Sequence, residues 1–330
     1  MAQERVSASV VVEWYNLTYA ELGSTKDMLA EVTSQATSLC RTDASSPTGL
    51  SGPLELVIAF DESRLTEQQV RSSLPDSVAG SDHLIPRFLA VPAANYCKMK
   101  NAGAAIANGE ILIFLDCDVI PEPNWLAALL GAFTDPSVSV VVGNTYVDCS
   151  DGGTYSRSMA LTWMFPLRDL DDRLNRATWF YANNVAFRRQ IFLSRQFPDT
   201  PGLIHAPAAL LVERLNRDGI DIWHAGGARA SHPPPNGLLH FAKRAIAGGR
   251  ARSLSRPSVA DWPLIHWVRS DIGSITWGWK RIATAGSSVG MRWWQVPPAM
   301  VISTAYYSLF CAGSLLTLAF PGLMRTRFRL

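Results

Sequence analysis

Two aspartates, Asp116 and Asp118, directly follow an uninterrupted apolar run at 111–115, and Pro121 and Pro123 come shortly after them. A run that is apolar on both faces indicates a strand covered on both sides, as in a parallel α/β sheet. Ligands of such sheets bind at the carboxyl ends of the strands. Two carboxylates there suit Mg²⁺ or Mn²⁺, and such a cation can hold a diphosphate. An isolated Asp-x-Asp is also compatible with two turn-forming aspartates, so the surrounding chain has to decide.

The surrounding chain alternates between strand-like and helix-like patterns up to about residue 232. The predicted strands are 6–12, 54–60, 83–91, 111–115, 138–143, 185–187 and 220–223. The predicted helices are 28–41, 66–74, 102–108, 124–134, 155–167 and 208–218. This alternation predicts an α/β fold with a doubly wound, mostly parallel sheet.

Three segments together resemble family 2 glycosyltransferases with the GT-A fold. The stretch from Asn101 to Asp118 is similar to the helix and Asp-x-Asp strand at the centre of that family. The stretch around Asp61 is similar to the second strand with its nucleotide-binding aspartate, and 183–189 is similar to the acceptor-side segment. The resemblance extends over about 6–232. It implies a GT-A type fold and transfer of a sugar from a UDP- or GDP-sugar, with inversion, using Mn²⁺ or Mg²⁺.

The resemblance also assigns roles to individual residues. It places the nucleotide-sugar beside Glu13, Asp61, Lys100, Asn101 and Asp116. It implies a metal site formed by Asp116, Asp118 and His232. A mixed carboxylate and imidazole set favours Mn²⁺ slightly over Mg²⁺, because imidazole is the softer ligand. It places Asn183 and Asn184 on the acceptor side.

The family's Glu-Asp pair, which supplies the catalytic base, is replaced in this chain by Pro207 and Ala208. The frame that follows the pair is retained, with Leu211, Arg214, Leu215 and Gly219. Three explanations stay open. The base has moved to His205 or Asp199; the acceptor is already ionised, as a phosphate or thiolate is; or the transferase activity has been lost.

Composition and the last hundred residues predict a membrane contact. Hydrophobic residues make up 48% of the chain and charged residues 18%. Residues 236–260 are basic and 261–294 are rich in Trp, and 296–324 carries no charge and is long enough to span a bilayer, which needs about 20 residues. We therefore predict three parts: a GT-A domain at 1–232, a basic, Trp-rich membrane-interface segment at 233–295 and a transmembrane helix at 296–324.

The same features predict the surroundings and partners of the protein. Five scattered cysteines suggest neither a disulfide framework nor a metal site, which fits a reducing cytoplasm. The net charge of +2, without a basic and aromatic platform, predicts no nucleic-acid partner. We expect a catalytic domain on the cytoplasmic side of the inner membrane and a lipid-linked or saccharide acceptor.

Two other functions have to be weighed. A catalytically impaired membrane-bound protein that binds a nucleotide-sugar or a partner would explain the missing Glu-Asp pair. A nucleotidyl-transfer enzyme usually has a Gly-rich basic loop after the first strand, and the residues from Glu13 onward contain none.

Overall fold

The computed structural model of the protein describes residues 6–14, 22–42, 49–92, 95–199, 206–255, 264–320, 322 and 324. The chain divides into two compact units. The sheet unit comprises Met1–Thr145, Arg168–Asp199 and Pro207–His232, and the helical unit comprises Tyr146–Leu167, Thr200–Ala206 and Pro233–Leu330. The three-part division that the sequence suggests stays a prediction.

The sheet unit contains the alternating strands and helices. Its strands are β1 (Ala8–Glu13), β2 (Leu54–Phe60), β3 (Leu84–Ala90), β4 (Ile111–Asp116), β5 (Ile120–Pro121), β6 (Val140–Val147), β7 (Leu174–Ala177), β8 (Asn184–Arg188) and β9 (Ile222–His232). Its helices are α1 (Leu22–Arg41), α2 (Glu67–Ser72), α3 (Asp76–Ala79), α4 (Tyr96–Ile106), α5 (Trp125–Ala132), α7 (Arg189–Leu193) and α8 (Ala206–Arg217).

Within the described residues, nine strands form one sheet in the order β3-β2-β1-β4-β8-β6-β9-β5, and β7 pairs with β9. The pairs β2–β3, β1–β2 and β1–β4 are parallel, as predicted. On the other side of β4, the pairs β4–β8, β6–β8 and β5–β9 are antiparallel. In the parallel part, Glu13 is the register partner of Asp116. The strands that carry the predicted nucleotide site therefore end at one edge of the sheet.

Burial explains why these segments form the centre of the sheet. Every residue of β1 and of β4 is buried, so both strands are covered on both faces. Helix α1 lies against this core through Met28, Leu29 and Val32, none of which is exposed. The unbroken apolar runs in the sequence result from this burial of both faces of each strand.

Two predicted elements differ from the structure in ways that matter for the site. Helix α4 begins at Tyr96, with Asn95 accepting a hydrogen bond from the Lys98 amide as its N-cap, and not at residue 102. Lys100 therefore lies within the helix. Strand β9 continues to His232 and does not end at residue 223. The sequence pattern missed its second half because the small residues in the middle of the strand lack the apolar alternation of a strand. The same small residues allow a neighbouring segment to approach closely.

The helical unit contains α6 (Thr154–Thr162), α9 (Gly237–Ser255), α10 (Leu264–Ala285) and α11 (Val296–Ala319). In the part of the chain that the structure describes, the segment Trp293–Ala319 is long and apolar enough to cross a membrane. This candidate transmembrane helix falls inside the predicted segment 296–324, apart from three residues at its beginning.

Candidate active site

Asp116 and Asp118 lie at the carboxyl end of β4, as the sequence predicts. Their residues are 5% and 4% exposed, so the structure withdraws both carboxylates almost completely from water. The Val119 amide donates to the Asp116 carbonyl oxygen at 3.1 Å, which closes the turn between the two aspartates and β5. Burying a carboxylate is unfavourable unless it is paired or bound, so the partners of each aspartate define its role.

Asp116 is held by two donors from α4. Lys100 Nζ and the Tyr96 hydroxyl each lie 2.7 Å from Asp116 Oδ1. Lys100 is fully buried, and its ammonium group lies 4.6 Å from the centroid of the Tyr96 ring. Burial, with the charges of Asp116 and Glu13, raises the pKa of Tyr96 well above its usual value, so its hydroxyl keeps its proton and donates. Asp116 is therefore a charge-paired carboxylate whose Oδ1 is already occupied.

Tyr96 is a site residue that was not predicted from the sequence. The signal was available, because Tyr96 and Lys100 are four residues apart and so share one face of a helix. The predicted helix began at residue 102, so Tyr96 and Lys100 fell outside it and their relationship was missed.

Asp118 has a different environment. Its Oδ2 lies 3.7 Å from His232 Nε2, and the two side chains are 5% and 7% exposed. Its Oδ1 is buried without a hydrogen-bond partner. Such an orphaned carboxylate oxygen is costly, and a bound cation would satisfy it. The pair of Asp118 and His232 therefore fits a divalent metal ion.

The described residues do not bring together a group of three or more His, Cys, Asp or Glu side chains that could hold a metal ion. Asp116, the third ligand that the sequence suggests, instead has Oδ1 bound to Lys100 and Tyr96. Two protein ligands are still a normal number for a Mg²⁺ or Mn²⁺ that takes its other ligands from phosphate oxygens and water. The metal role of Asp116 stays a prediction.

A very short strand pairing brings Asp118 and His232 together. Residues 120 and 121 of β5 pair with 231 and 230 of β9. The Glu122 amide then donates to the Arg229 carbonyl oxygen at 2.9 Å. Glu122 lies four residues after Asp118 and Arg229 three residues before His232, so this contact fixes both metal-site segments against each other.

An ion network, which sequence reasoning missed, reinforces this pairing. Arg168 binds both carboxylate oxygens of Glu122, at 2.5 and 2.7 Å. Arg229 lies 3.1 Å from Glu122 Oε2 and also reaches Asp172 Oδ1 at 2.5 Å. A side chain at Gly226 would overlap the Asp171 carbonyl, with its Cβ only 1.7 Å from that oxygen. The absence of a side chain at Gly226 therefore lets the segment that carries Asp172 lie against β9.

On the nucleotide side, Asp61 directly follows β2 and Glu13 ends β1. Asp61 is 7% exposed, and its Oδ1 accepts from the amide and hydroxyl of Ser63 at 3.0 and 2.7 Å. Its Oδ2 lies 3.5 Å from Arg64 Nε. Glu13 is fully buried. Asp61, Glu13 and Asp116 thus follow or end neighbouring parallel strands, while their contact with a nucleotide stays a prediction.

The three predicted asparagines make structural contacts. Asn101 exchanges two hydrogen bonds with the backbone of Phe197, at 2.8 and 3.1 Å. Asn184 is fully buried, accepts from Trp125 Nε1 at 2.9 Å and donates to the Ala228 carbonyl at 3.1 Å. Asn183 accepts from the Thr145 hydroxyl at 3.3 Å, and its carbonyl accepts from the Asp116 amide. Their predicted binding roles are untested by these contacts.

For the catalytic base, the structure describes one of the two candidates. Asp199 is exposed and forms an ion pair with Lys98 at 3.1 Å. Burial raises the pKa of Cys97 to about 12, and the negative charges of Asp116, Glu13 and Asp199 contribute to this increase. The ion pair with Lys98 places Asp199 beside α4, the helix that also binds Asp116. His205 lies outside the described residues, and Pro207 and Ala208 are buried near the start of α8.

Comparison with known proteins identifies the class. Residues 25–195, more than half of the chain, match the model of glycosyl transferase family 2. The protein belongs to this family, which confirms the resemblance that the motifs carry.

The structure is similar to that of the mannosyltransferase PcManGT from Pyrobaculum calidifontis, which was solved in complex with GDP-Man and Mn²⁺. The likeness covers 97% of this chain and 89% of that one, with a TM-score of 0.57 and 13% sequence identity. At this identity it shows the fold alone, and it confirms the predicted GT-A type α/β fold. A weaker likeness to GalNAc-T7 has a TM-score of 0.48 and 15% identity, over 78% of this chain and 51% of that one.

The pre-mycofactocin glycosyltransferase of Mycobacterium tuberculosis (strain CDC 1551 / Oshkosh) is 45% identical over 42 residues. This match spans 13% of the chain and 9% of that relative. It is a local similarity between the two proteins.

Proposed function

We propose that this protein is a metal-dependent glycosyltransferase that moves a sugar from a UDP- or GDP-sugar to a lipid-linked or saccharide acceptor, with inversion. The buried Asp118 Oδ1 without a donor, beside His232, carries this proposal. Family membership and the GDP-Man and Mn²⁺ bound by PcManGT support it.

We assign a different role to each carboxylate of the site. Asp118 and His232 hold the divalent cation. When bound there, the cation neutralises charge that develops on the diphosphate leaving group. Lys100 and Tyr96 fix Asp116 through Oδ1, and we assign contact with the ribose to its other oxygen. Asp61 and Glu13 bind the base and ribose. Asp116 is paired with Lys100, Asp61 accepts from Ser63, and Glu13 is fully buried, so the positions of these three groups are set before the donor binds.

Removal of the acceptor proton is assigned to Asp199 or His205. Asp199 is exposed, and its carboxylate is paired with Lys98 at the surface. An acceptor hydroxyl can therefore compete with Lys98 for the Asp199 carboxylate. An acceptor that is already ionised would need neither residue. This alternative suits a lipid-linked phosphate, which matches the proposed membrane location.

A panel of UDP- and GDP-sugars, each with and without Mn²⁺, tests the donor proposal by thermal shift. A donor present at 100 times its Kd stabilises the protein by about 2.7 kcal/mol, so it should stand out from the other sugars. We expect the shift to require Mn²⁺ and to disappear on addition of EDTA. An equal shift in EDTA would show that donor binding does not use the metal.

We also propose that α11 attaches the protein to the inner membrane, with the sheet unit in the cytoplasm, where nucleotide-sugars are made. The length and hydropathy of Trp293–Ala319 support this location.

A catalytically impaired protein that binds nucleotide-sugar is the second candidate, favoured by Pro207 and Ala208 in place of the Glu-Asp pair. Metal-dependent binding of one nucleotide-sugar, without transfer to hydroxyl or phosphate acceptors and without hydrolysis, would support it over the transferase.

A further inference from the structure

Helix α11 has opposite properties on its two faces. Its buried residues are small or polar along much of its length: Ala299, Ser303, Gly313, Ser314 and Thr317, together with Tyr306. Its exposed apolar residues are Val301, Leu315, Leu316 and Leu318, followed by Phe320. Water-soluble helices place apolar residues inside, whereas helices in lipid pack through small and polar residues and expose apolar ones. Lipid is therefore the occupant that fits the exposed face.

Helix α9 covers the inward face of α11. A Cβ at Gly249 would lie 1.8 Å from the Phe310 carbonyl oxygen, so the two backbones touch there. The Ser314 hydroxyl donates to the Gly249 carbonyl at 3.0 Å. The rings of Phe241 and Tyr306 lie 5.6 Å apart. These contacts fall between residues 306 and 314, in the middle and second half of α11.

Helix α9 also carries positive charge at this contact. Its sequence contains Lys243, Arg244, Arg250 and Arg252 and no acidic residue. The Arg252 guanidinium lies 5.0 Å from the centroid of the Phe310 ring, and Arg250 is 4% exposed. The cations therefore accompany the central part of α11 and not its ends.

This arrangement disfavours a simple crossing of the bilayer. At 1.5 Å per residue, Tyr306 and Phe310 lie about 15 and 21 Å from the start of α11. A hydrocarbon layer about 30 Å thick would then hold the α9 cations near its centre, the depth at which Lys and Arg are least tolerated. If α11 lies parallel to the membrane, its exposed apolar face meets the acyl chains, and α9, on the opposite face, lies toward the headgroups.

The N-terminal end of α11 fits the same orientation. Trp293 is 82% exposed and Trp294 is 49% exposed, and the Arg292 guanidinium lies 5.0 Å from the Trp294 ring centroid. Trp and Arg together are typical of the headgroup region.

We propose that α11 lies within one leaflet of the membrane, with both of its ends on the same side, and that Lys243 and Arg244 of α9 contact anionic lipid phosphates. This inference rests on the proposed membrane attachment, but it replaces the single crossing that the sequence suggests with an in-plane helix.

The position of the two chain ends tests the orientation. The full chain, with one epitope tag at each end, would be treated with protease in sealed inside-out vesicles and in sealed spheroplasts. We expect both tags to be digested in inside-out vesicles and both to be protected in spheroplasts. Tags with opposite accessibility would establish a crossing and overturn the in-plane helix, while leaving membrane attachment intact. Recovery of the untreated protein in the soluble fraction without detergent would overturn both.

Vesicle flotation tests the lipid contact. The double change Lys243→Gln and Arg244→Gln should lower binding to vesicles containing phosphatidylglycerol by about fivefold per charge, with little change for pure phosphatidylcholine. Arg71→Gln, which removes an exposed cation from the sheet unit, is the matched control and should bind like the wild type. Equal binding of the double variant and the wild type to the anionic vesicles would overturn the phosphate contact.

Discussion

Asp118 and His232 are brought together by β5 and β9, which pair through only two residue pairs. Their carboxylate and imidazole groups are 3.7 Å apart, and the register is set by 120 with 231 and 121 with 230. A ladder of two residue pairs adds little stability on its own. The neighbouring ion network of Glu122, Arg168 and Arg229 is therefore important for holding the two segments together.

The metal pair leads to the first prediction. Asp118→Asn should abolish Mn²⁺-dependent donor binding and leave the protein as stable as the wild type or more so, because it removes a buried charge whose Oδ1 has no hydrogen-bond partner. Calorimetric titration with Mn²⁺ and the donor measures the first effect, and urea unfolding the second. Asp82→Asn, at an exposed position, is the control. Retained Mn²⁺-dependent binding in Asp118→Asn would contradict the assignment.

The ion network leads to the second prediction. Glu122→Gln removes the charge that both Arg168 and Arg229 bind, so the segments carrying Asp118 and His232 should lose their fixed spacing. We expect Mn²⁺ affinity to fall by about 10- to 100-fold, the usual effect of removing a group that orients metal ligands. Glu67→Gln, which breaks an exposed pair with Arg71, should leave Mn²⁺ affinity unchanged. If both variants bind Mn²⁺ equally well, Glu122 has no positioning role.

The third prediction concerns Lys100 and Asp116. Lys100→Met leaves the Asp116 carboxylate buried with its charge uncompensated, so the free energy of unfolding should fall by about 3–5 kcal/mol. Tyr96→Phe removes one neutral donor and should cost about 1–3 kcal/mol. The double variant Lys100→Met/Asp116→Asn should recover part of the loss. An additive double variant would show that the two charges do not depend on each other.

The fourth prediction concerns the base. If Asp199 accepts the acceptor proton, Asp199→Asn should lower kcat by about 10²- to 10⁴-fold without changing donor affinity. If His205 is the base instead, His205→Ala should lower kcat by the same factor without changing donor affinity. Lys98→Met is a useful companion, because it removes the ion-pair partner of Asp199 while leaving the carboxylate in place. Full activity in both Asp199→Asn and His205→Ala would leave the ionised acceptor as the explanation.

The fifth prediction concerns packing beneath the site. A Cβ at Gly143 would lie 2.3 Å from the Ala228 carbonyl oxygen and 2.4 Å from Asn184 Nδ2. Gly143→Ala should therefore destabilise the protein by about 3 kcal/mol or more, because a backbone atom must move. Gly52→Ala is the matched control, since no atom lies within 4 Å of its added Cβ. Equal urea midpoints for the two variants would contradict this packing.

The sequence by itself determined the parts of this protein that depend on local pattern. The buried runs of β1 and β4 and the Asp-x-Asp at the end of β4 are written in consecutive residues, and so is the apolar length of α11. These patterns were sufficient to predict the α/β fold and the strand end that carries Asp116 and Asp118, because double-sided burial forces a continuous apolar run. The family was predicted from the resemblance of three segments to known glycosyltransferases.

Tertiary structure alone decided which side chains partner the two aspartates. The resemblance assigns Asp116 to the nucleotide-sugar and the metal, and Asp118 to the metal alone. The structure supplies their partners: Asp116 receives Lys100 and Tyr96 from α4, whereas Asp118 meets His232 from the end of β9. The small residues of β9 hid the length of that strand, and the Glu122 network joins segments that are distant in the chain. Such contacts are set by sheet order and register, which no local periodicity reports.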